Sequence, residues 1–331
     1  MDKTFKRLRL PIEKYVEGIL SGDRVILSRA ITLIESQLVA DNELAEELLN
    51  RVLSKTGHSI RIGITGVPGA GKSTLIESFG KYLTHQNKKV AVLTIDPSSQ
   101  RTKGSILGDK TRMEALANDP NAYVRPSSSG SKLGGVHSKT RETMLLCEAA
   151  GFEVIIIETV GVGQSETSVK GIVDFFLLLA LAGAGDELQG IKRGIMEMAD
   201  SIAINKADGD NIKRSQMAKQ NFVNALHMFP PNVNGWIPQV HTCSALNNKG
   251  IEDLWEIIQK FEAHVKANGW FEKNRQEQNI EWMNDLINYH LLAGFFSKPD
   301  IKTKLERLKV EVKSQKLPAI TAARLLIEGA N

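Results

Sequence analysis

The stretch that decides the fold is Gly66-Val67-Pro68-Gly69-Ala70-Gly71-Lys72-Ser73-Thr74, which follows the apolar run 60–65 and precedes a helical pattern beginning Leu75-Ile76-Glu77-Ser78-Phe79. A strand, a glycine-rich turn with the spacing Gly-x4-Gly-Lys-Ser and a helix form the Walker A pattern. The glycines let backbone N–H groups point at phosphate oxygens, and the helix N-terminus adds a positive partial charge. The sequence therefore predicts a triphosphate-binding loop, in which Lys72 reaches the β- and γ-phosphates and the Ser73 hydroxyl ligates Mg²⁺.

Composition excludes several classes of function. The chain has 331 residues, of which 42% are apolar and 24% charged, and its formal net charge is only +4. We therefore expect one large domain with appendages, or two domains, and no nucleic-acid partner. The longest apolar run, Phe175 to Gly185, is shorter than the roughly 20 residues that span a bilayer, so we interpret it as a buried strand and expect no membrane association.

The cysteines and histidines indicate no redox or zinc chemistry. Cys147 and Cys243 are far apart in sequence, and the histidines are scattered without an HExxH or Cys/His cluster. We expect both cysteines to be reduced core residues of a cytoplasmic protein, because disulfides are rare in that compartment.

The apolar pattern divides the chain into three parts. Helical spacing dominates residues 10–56, with Asp23 and Asp41 as candidate N-caps; strands alternate with helices from 60 to about 265; the pattern is helical again from 266. We predict a helical extension at 1–57, an α/β domain with a doubly wound, mostly parallel sheet at 58–265, and a helical arm at 266–331. The expected strands are 60–65, 90–95, 122–125, 154–157, 175–181, 201–205 and 240–243.

Acidic residues follow several of these strands, on the side where ligands of such sheets bind. Asp96 ends the second strand, Asp109 lies in the polar stretch 104–112, and Glu158 ends a buried strand, where a carboxylate is costly unless it serves a metal or water. We expect all three near Mg²⁺, with Glu158 as the Walker B acid and the Gly161 N–H sensing the γ-phosphate.

The residue that activates water is left open by the sequence. Ras-type enzymes place a glutamine after the glycine of this switch, but this chain has Val162 there. Asp96 is our first candidate, Glu158 is the second, and Gln164 would reach the water only after rearrangement.

A later strand runs into Asn205-Lys206-Ala207-Asp208. One carboxylate can accept both the N1–H and the 2-amino group of guanine, whereas adenine offers neither in that arrangement, so Asp208 predicts guanine. Asn205 can bind the base and the neighbouring loops, and the stem of Lys206 can lie over the ring. The backbone of Ser244, Ala245 and Leu246, after the last strand, is placed to support the base.

Long matched runs in this chain resemble the MeaB/ArgK/MMAA family of P-loop GTPases. The most specific runs are Asp96–Ser99, Gly104–Met113, Arg141–Gly151, Glu158–Glu166 and Gly183–Gly190. The resemblance covers nearly the whole chain. It implies a homodimer of the SIMIBI class, with a P-loop G domain between an N-terminal helical extension and a C-terminal dimerisation arm.

The resemblance also implies a function. Family members are GTPase chaperones of adenosylcobalamin-dependent methylmalonyl-CoA mutase or a relative, and they couple GTP binding and hydrolysis to cofactor loading and mutase protection. By motif, the catalytic set is Lys72, Asp96, Asp109, Glu158 and Lys192, and the metal set is Ser73, Asp96, Asp109 and Glu158. Gly183 to Lys192 resembles the family's third switch segment, which senses the mutase. Asp186 and Gln189 are further functional residues that this resemblance implies. Ala182 departs from the proline of many relatives. No Asp-x-His-x-x-Gly motif is present, so cobalamin should belong to the partner.

Three functions remain open at this stage. The first is a regulatory GTPase, slow alone because no evident arginine finger or Ras-like glutamine is present, and stimulated by its mutase. The second is an ATP-dependent kinase linked to basic amino-acid transport, against which Asp208 argues. The third is a scaffold that binds GTP but scarcely hydrolyses it, because hydrolysis depends on fine geometry that sequence does not determine.

Overall fold

A computed structural model describes residues 9–36, 38–96, 113–128, 135–159, 165–183 and 193–328. The chain divides into two compact units, Met1–Gln278 and Asn279–Asn331. The domain boundaries at 57/58 and 265/266 stay predictions.

The first unit is built on a sheet of seven parallel strands in the order β3-β2-β4-β1-β5-β6-β7. The strands are β1 (Ile60–Gly66), β2 (Val90–Asp96), β3 (Ala122–Ser128), β4 (Val154–Thr159), β5 (Phe175–Leu181), β6 (Ser201–Asn205) and β7 (Gln239–Thr242). Because every strand runs the same way, the segments that follow β1, β4, β6 and β7 begin at one edge of the sheet. This edge is where the predicted site residues lie.

The described residues form helices between and around these strands. They are α1 (Ile12–Leu20), α2 (Arg24–Ile34), α3 (Val39–Val52), α4 (Lys72–His85), α5 (Glu114–Ala117), α6 (Gly135–Ala149), α7 (Ser165–Lys170), α8 (Arg193–Met198), α9 (Ile212–Leu226), α10 (Ile251–Ala267), α11 (Trp270–Ser297), α12 (Pro299–Lys313) and α13 (Ala319–Glu328).

Both faces of the sheet are covered, which is why its strands are almost wholly apolar. Alternate side chains point to opposite faces. Ile62 and Ile156 pack with α4 and α10 in one core cluster. Ile155 and Ile157 of β4 pack instead with α6 and the three N-terminal helices. The doubly wound α/β fold is therefore confirmed, and the N-terminal helices contribute directly to its core.

The two candidate N-caps differ in outcome. Asp23 accepts hydrogen bonds from the backbone N–H groups of Val25 (2.7 Å) and Ile26 (3.1 Å) at the start of α2, so it is a cap. Asp41 is not a cap, because α3 begins two residues earlier, at Val39. Its buried carboxylate pairs with Arg9, and that hydrogen bond lowers the pKa of Asp41.

The second unit has a small core of its own. Ile301 and Leu308 of α12 pack against Ala322 and Leu326 of α13. The second unit is thus a compact helical body, consistent with the helical pattern predicted for this part of the chain.

Candidate nucleotide-binding site

The glycine-rich loop connects β1 to α4 with a geometry that only glycine fits at two points. Gly66 has φ 154°, and a Cβ there would lie 2.3 Å from the carbonyl oxygen of Leu179. Gly71 has φ 87°, and a Cβ there would lie 2.7 Å from Asn205 Nδ2. Side chains rarely adopt such backbone conformations and would also clash here. The loop is therefore held close to β5 and β6, and α4 starts at Lys72, as expected.

Lys72 lies over its own loop. Its Nζ donates to the carbonyl oxygens of Gly66 (2.8 Å) and Val67 (3.4 Å). Burial lowers the pKa of Lys72, and the nearby carboxylates of Glu158 and Glu166 counteract part of that shift. The ammonium is thus held against the backbone of the glycine-rich loop.

Ser73, in the first turn of α4, contacts Glu158, near the end of β4. Ser73 Oγ donates to Glu158 Oε1 at 3.0 Å. The strand register pairs Ile64 of β1 with Glu158 of β4 and so brings the carboxylate beside the glycine-rich loop. One residue further along both strands, Thr159 Oγ1 donates to Thr65 Oγ1 at 2.9 Å. A hydroxyl and a carboxylate oxygen are hard ligands that suit Mg²⁺, which usually takes only one or two protein groups and completes its shell with phosphates and water.

Asn205 ties the phosphate loop to the loop after β7. Its Nδ2 donates to the carbonyl oxygen of Ala70 at 2.8 Å, and its Oδ1 accepts from the backbone N–H of Ala245 at 3.0 Å. The side chain is buried. Both ends of the amide are used, so Asn205 fixes the spacing between the two loops.

Asp208 is held by the same second loop. Ser244 Oγ donates to Asp208 Oδ2, and the backbone N–H of Ala207 donates to the carbonyl oxygen of Cys243 at 2.9 Å. Lys206 adopts φ 59°, and its carbonyl oxygen accepts from Asn211 Nδ2 at 2.8 Å. The side chain of Lys206 is exposed, as is that of Leu246. The Asp208 carboxylate is thus steadied by a hydroxyl of the loop after β7.

Several predicted site residues lie outside the described residues: Asp109, Gly161, Gln164, Asp186, Gln189 and Lys192. Asp96 is the last residue of β2, at the same edge as Gly66. Pro68, Gly69 and Thr74 lie in or beside the loop that the structure describes.

Three residues near the site were not predicted from the sequence. Glu166 is a buried carboxylate in the first turn of α7, close enough to Lys72 to act on its pKa. Ser78 and Asn248 form a hydrogen bond between α4 and the loop after β7. Glu166 ends the matched run Glu158–Glu166, but an acid at the start of a helix ordinarily indicates only a favourable helix dipole, so the run assigned it no role of its own.

No three His, Cys, Asp or Glu side chains come together as a metal cluster within the described ranges. Among the helices in the described part of the chain, none is long and apolar enough to cross a membrane.

The fold and these contacts define a P-loop nucleotide-binding protein. A family model described as methylmalonyl Co-A mutase-associated GTPase MeaB matches residues 27–300. The chain belongs to this family of GTPases.

Individual relatives agree with this family assignment. The chain is 44% identical over 313 residues to a protein of Escherichia coli named GTPase ArgK, covering 95% of each. It is 42% identical over 327 residues to the mouse protein named methylmalonic aciduria type A homolog, mitochondrial, covering 96% of this chain and 79% of the relative. A crystal structure described as LAO/AO transport system kinase matches with a TM-score of 0.76 and 38% identity, over 96% of each chain.

Proposed function

We propose that this chain binds GTP and GDP with Mg²⁺, hydrolyses GTP, and serves as a chaperone of an adenosylcobalamin-dependent methylmalonyl-CoA mutase or a related acyl-CoA mutase. The observation that carries the proposal is the pairing of Ser73 with Glu158 at the same sheet edge as the Asn205–Asp208 loop. Membership of a family named for its association with this mutase supports the choice of partner.

Three described side chains are assigned to the phosphates and the metal. Lys72 exchanges its carbonyl contacts for β- and γ-phosphate oxygens, and Ser73 and Glu158 hold Mg²⁺, Glu158 through a water. Mg²⁺, when bound, neutralises charge on the phosphates. Asp96 and Asp109 complete the acidic set in this proposal, and the Gly161 N–H senses the γ-phosphate.

Hydrolysis is assigned to residues that approach the γ-phosphate. Asp96 orients the attacking water, with Glu158 as the second candidate, and Lys192 contributes from the third switch together with Asp186 and Gln189. In this proposal the mutase rearranges the switch loops around the nucleotide and so completes the catalytic set. This arrangement predicts slow turnover alone and faster turnover with the mutase.

Guanine selection is assigned to Asp208. Its two oxygens accept from N1–H and the 2-amino group, while Ser244 keeps the carboxylate oriented. The Asn205 amide and the backbone at Ala245 and Leu246 enclose the base, and the stem of Lys206 covers it. Adenine would leave this half-buried carboxylate without the two donors that guanine offers, which is costly.

The proposed interface with a second copy of this chain is an exposed apolar stripe on α11. Ile280, Met283, Ile287 and Leu291 recur at helical spacing on one face and are each between 48% and 67% exposed. An apolar stripe of this kind is typical of an interface. The proposal is therefore a homodimer formed through the second unit.

A cytoplasmic location accords with the state of the two cysteines. Cys147 and Cys243, the only cysteines of the sequence, are both buried and unlinked. Burial raises the pKa of Cys243 to about 12, so its thiol is unreactive.

The experiment combines turnover and binding with a B12-dependent mutase from the same source. GTP hydrolysis should rise at least about tenfold when the mutase is added. The two proteins should co-elute, with a different affinity in GDP than in a non-hydrolysable GTP analogue. Unchanged turnover together with no co-elution in either nucleotide would contradict the chaperone role while leaving GTP binding intact.

The alternative function is an ATP-dependent kinase linked to basic amino-acid transport. The matched crystal structure is described as a transport system kinase, which favours this alternative. Such an enzyme needs adenine acceptance. A competition experiment in which ATP displaces GDP as well as GTP does would favour it over the guanine-specific function.

A further inference from the structure

The loop 244–249, defined here as the base loop, folds back on itself after β7. The backbone N–H of Ser244 donates to the carbonyl oxygen of Lys249 at 2.9 Å, and the N–H of Lys249 donates to Ser244 at 3.1 Å. Asn248 sits inside this bridge with φ 54°. Asparagine tolerates the left-handed region better than most residues, so it suits this turn.

The side chain of Asn248 leaves the base loop and contacts the helix of the phosphate loop. Ser78 Oγ donates a hydrogen bond to Asn248 Oδ1, although 170 positions separate the two residues in the chain. Ser78 is 9% exposed and lies on α4, six positions after Lys72. This contact therefore connects the loop that steadies Asp208 to the helix that carries Lys72 and Ser73.

Burial does little to hold the tip of the base loop. Residues 246–249 are all exposed, and Leu246 is 80% exposed. The amide of Ala245 is bound to Asn205 at the start of the loop, which leaves the far end to be fixed by Ser78. The base loop thus has two fixed points, one on the phosphate loop through Asn205 and one on α4 through Asn248.

We propose that Asn248 and Ser78 are positioning residues for guanine nucleotide binding, which hold the base loop against α4 at the distance that a bound nucleotide requires. The inference rests on the proposed function. A nucleotide must contact the base loop and the phosphate loop at once, so a fixed spacing between them removes an ordering cost from binding. Small displacements of a positioned group are expensive for the same reason.

The test uses substitutions that preserve the backbone. Asn248→Gly keeps a residue that adopts φ 54° without strain and removes the amide. Ser78→Ala removes the hydroxyl and favours the helix. Asn248→Asp retains an oxygen acceptor for Ser78. Asn247→Gly is the matched control, because its side chain is exposed and the same glycine is introduced one position earlier.

The measurement is the dissociation rate of fluorescently labelled GDP, followed by stopped flow in the full-length chain. We expect Asn248→Gly and Ser78→Ala each to accelerate dissociation about fivefold, the usual effect of one hydrogen bond. The double variant should be about as fast as either single variant, because the two residues share one contact. Asn248→Asp should remain within twofold of the unaltered chain, as should the control.

Any of three results would overturn the inference: unchanged dissociation in both single variants, additive effects in the double variant, or an Asn248→Asp rate equal to that of Asn248→Gly. Failure of the unaltered chain to bind labelled GDP would refute the proposed function, and the inference with it. Normal binding by that chain with unaltered rates in the variants would refute the inference alone.

Discussion

Ser73 Oγ donates a hydrogen bond to Glu158 Oε1 at 3.0 Å, across 85 positions of sequence. The contact exists because β1 and β4 are neighbours in register, so Ser73, the second residue of α4, meets Glu158 near the end of β4. A hydroxyl and a carboxylate at this separation can serve one Mg²⁺ between them, directly and through water.

Removing this hydroxyl should weaken the metal-dependent part of GTP binding. We expect Ser73→Ala to lower GTP affinity at least about tenfold in Mg²⁺, or about 1.4 kcal/mol. In excess chelator, the variant and the unaltered chain should bind alike. Ser73→Thr keeps the hydroxyl and should bind nearly normally. An equal loss of affinity with and without Mg²⁺ would contradict the assigned role.

Changing the carboxylate of Asp208, which we assign to guanine recognition, should change the preferred purine. Asp208→Asn replaces one acceptor by a donor, which suits the 2-oxo group of xanthine. We expect GTP affinity to fall at least about 100-fold and xanthosine triphosphate to gain affinity, measured by competition against labelled GDP. Asp210→Asn, an exposed neighbour, is the control. Retained GTP preference in the Asp208 variant would place guanine recognition elsewhere.

A buried histidine should make folding stability depend on pH. Burial, with a contribution from Lys219, lowers the pKa of His241 to about 4, and within the described residues its Nε2 has no hydrogen-bond partner. The ordinary pKa of histidine is about 6.5. Between pH 4 and 6.5 the histidine of the unfolded chain binds a proton that His241 of the folded chain does not. The contribution of His241 to the free energy of unfolding is therefore fully present above pH 6.5 and is lost as the pH falls toward 4.

The size of this effect is about 3 kcal/mol at most, from the difference between the two pKa values. We expect His241→Gln to flatten the dependence of the free energy of unfolding on pH between 6.5 and 4, as measured by urea titration. His85→Gln, on an exposed residue, should leave the slope as it is. A slope unchanged by His241→Gln would show that other groups cause it.

An ion pair at the opposite edge of the sheet should matter for stability. Arg275, in the first turns of α11, donates to both carboxylate oxygens of Asp174 (2.8 and 2.7 Å) and to the carbonyl oxygens of Gly57 and Ser59. Arg275→Ala leaves Asp174 buried without this partner, so we expect a loss of about 3–5 kcal/mol.

Thermal and urea unfolding would measure that loss. Lys273→Ala is the matched control, because Lys273 forms an exposed ion pair with Glu277 at 3.8 Å and should change stability by less than about 1 kcal/mol. Similar stabilities for the two variants would refute the structural role of Arg275.

Local sequence features predicted much of this architecture. The strands were recognisable because each is a short, nearly continuous apolar run, and the start of α4 at Lys72 follows from the glycine spacing before it. Strand ends were less well predicted: β3 continues to Ser128, because pairing with β2 extends it beyond its apolar part. Asp41 was wrongly predicted as a cap, since its pairing with Arg9 depends on tertiary structure.

The contacts that organise the site could not be predicted in the same way. The hydrogen bonds of Asn205 with Ala70 and of Ser78 with Asn248 join segments more than 130 positions apart. They depend on strand order, which a single sequence does not reveal. The residues assigned to the phosphates and the guanine were recognisable as motifs, but the connections between those motifs required the structure.

The most direct test of the account is calorimetric titration of the unaltered chain with GTP and with ATP, each with and without Mg²⁺. The account predicts saturable binding of GTP that tightens with Mg²⁺, and ATP affinity at least about 100-fold weaker. Absence of heat with Mg²⁺ and GTP, or equal affinities for the two nucleotides, would contradict it.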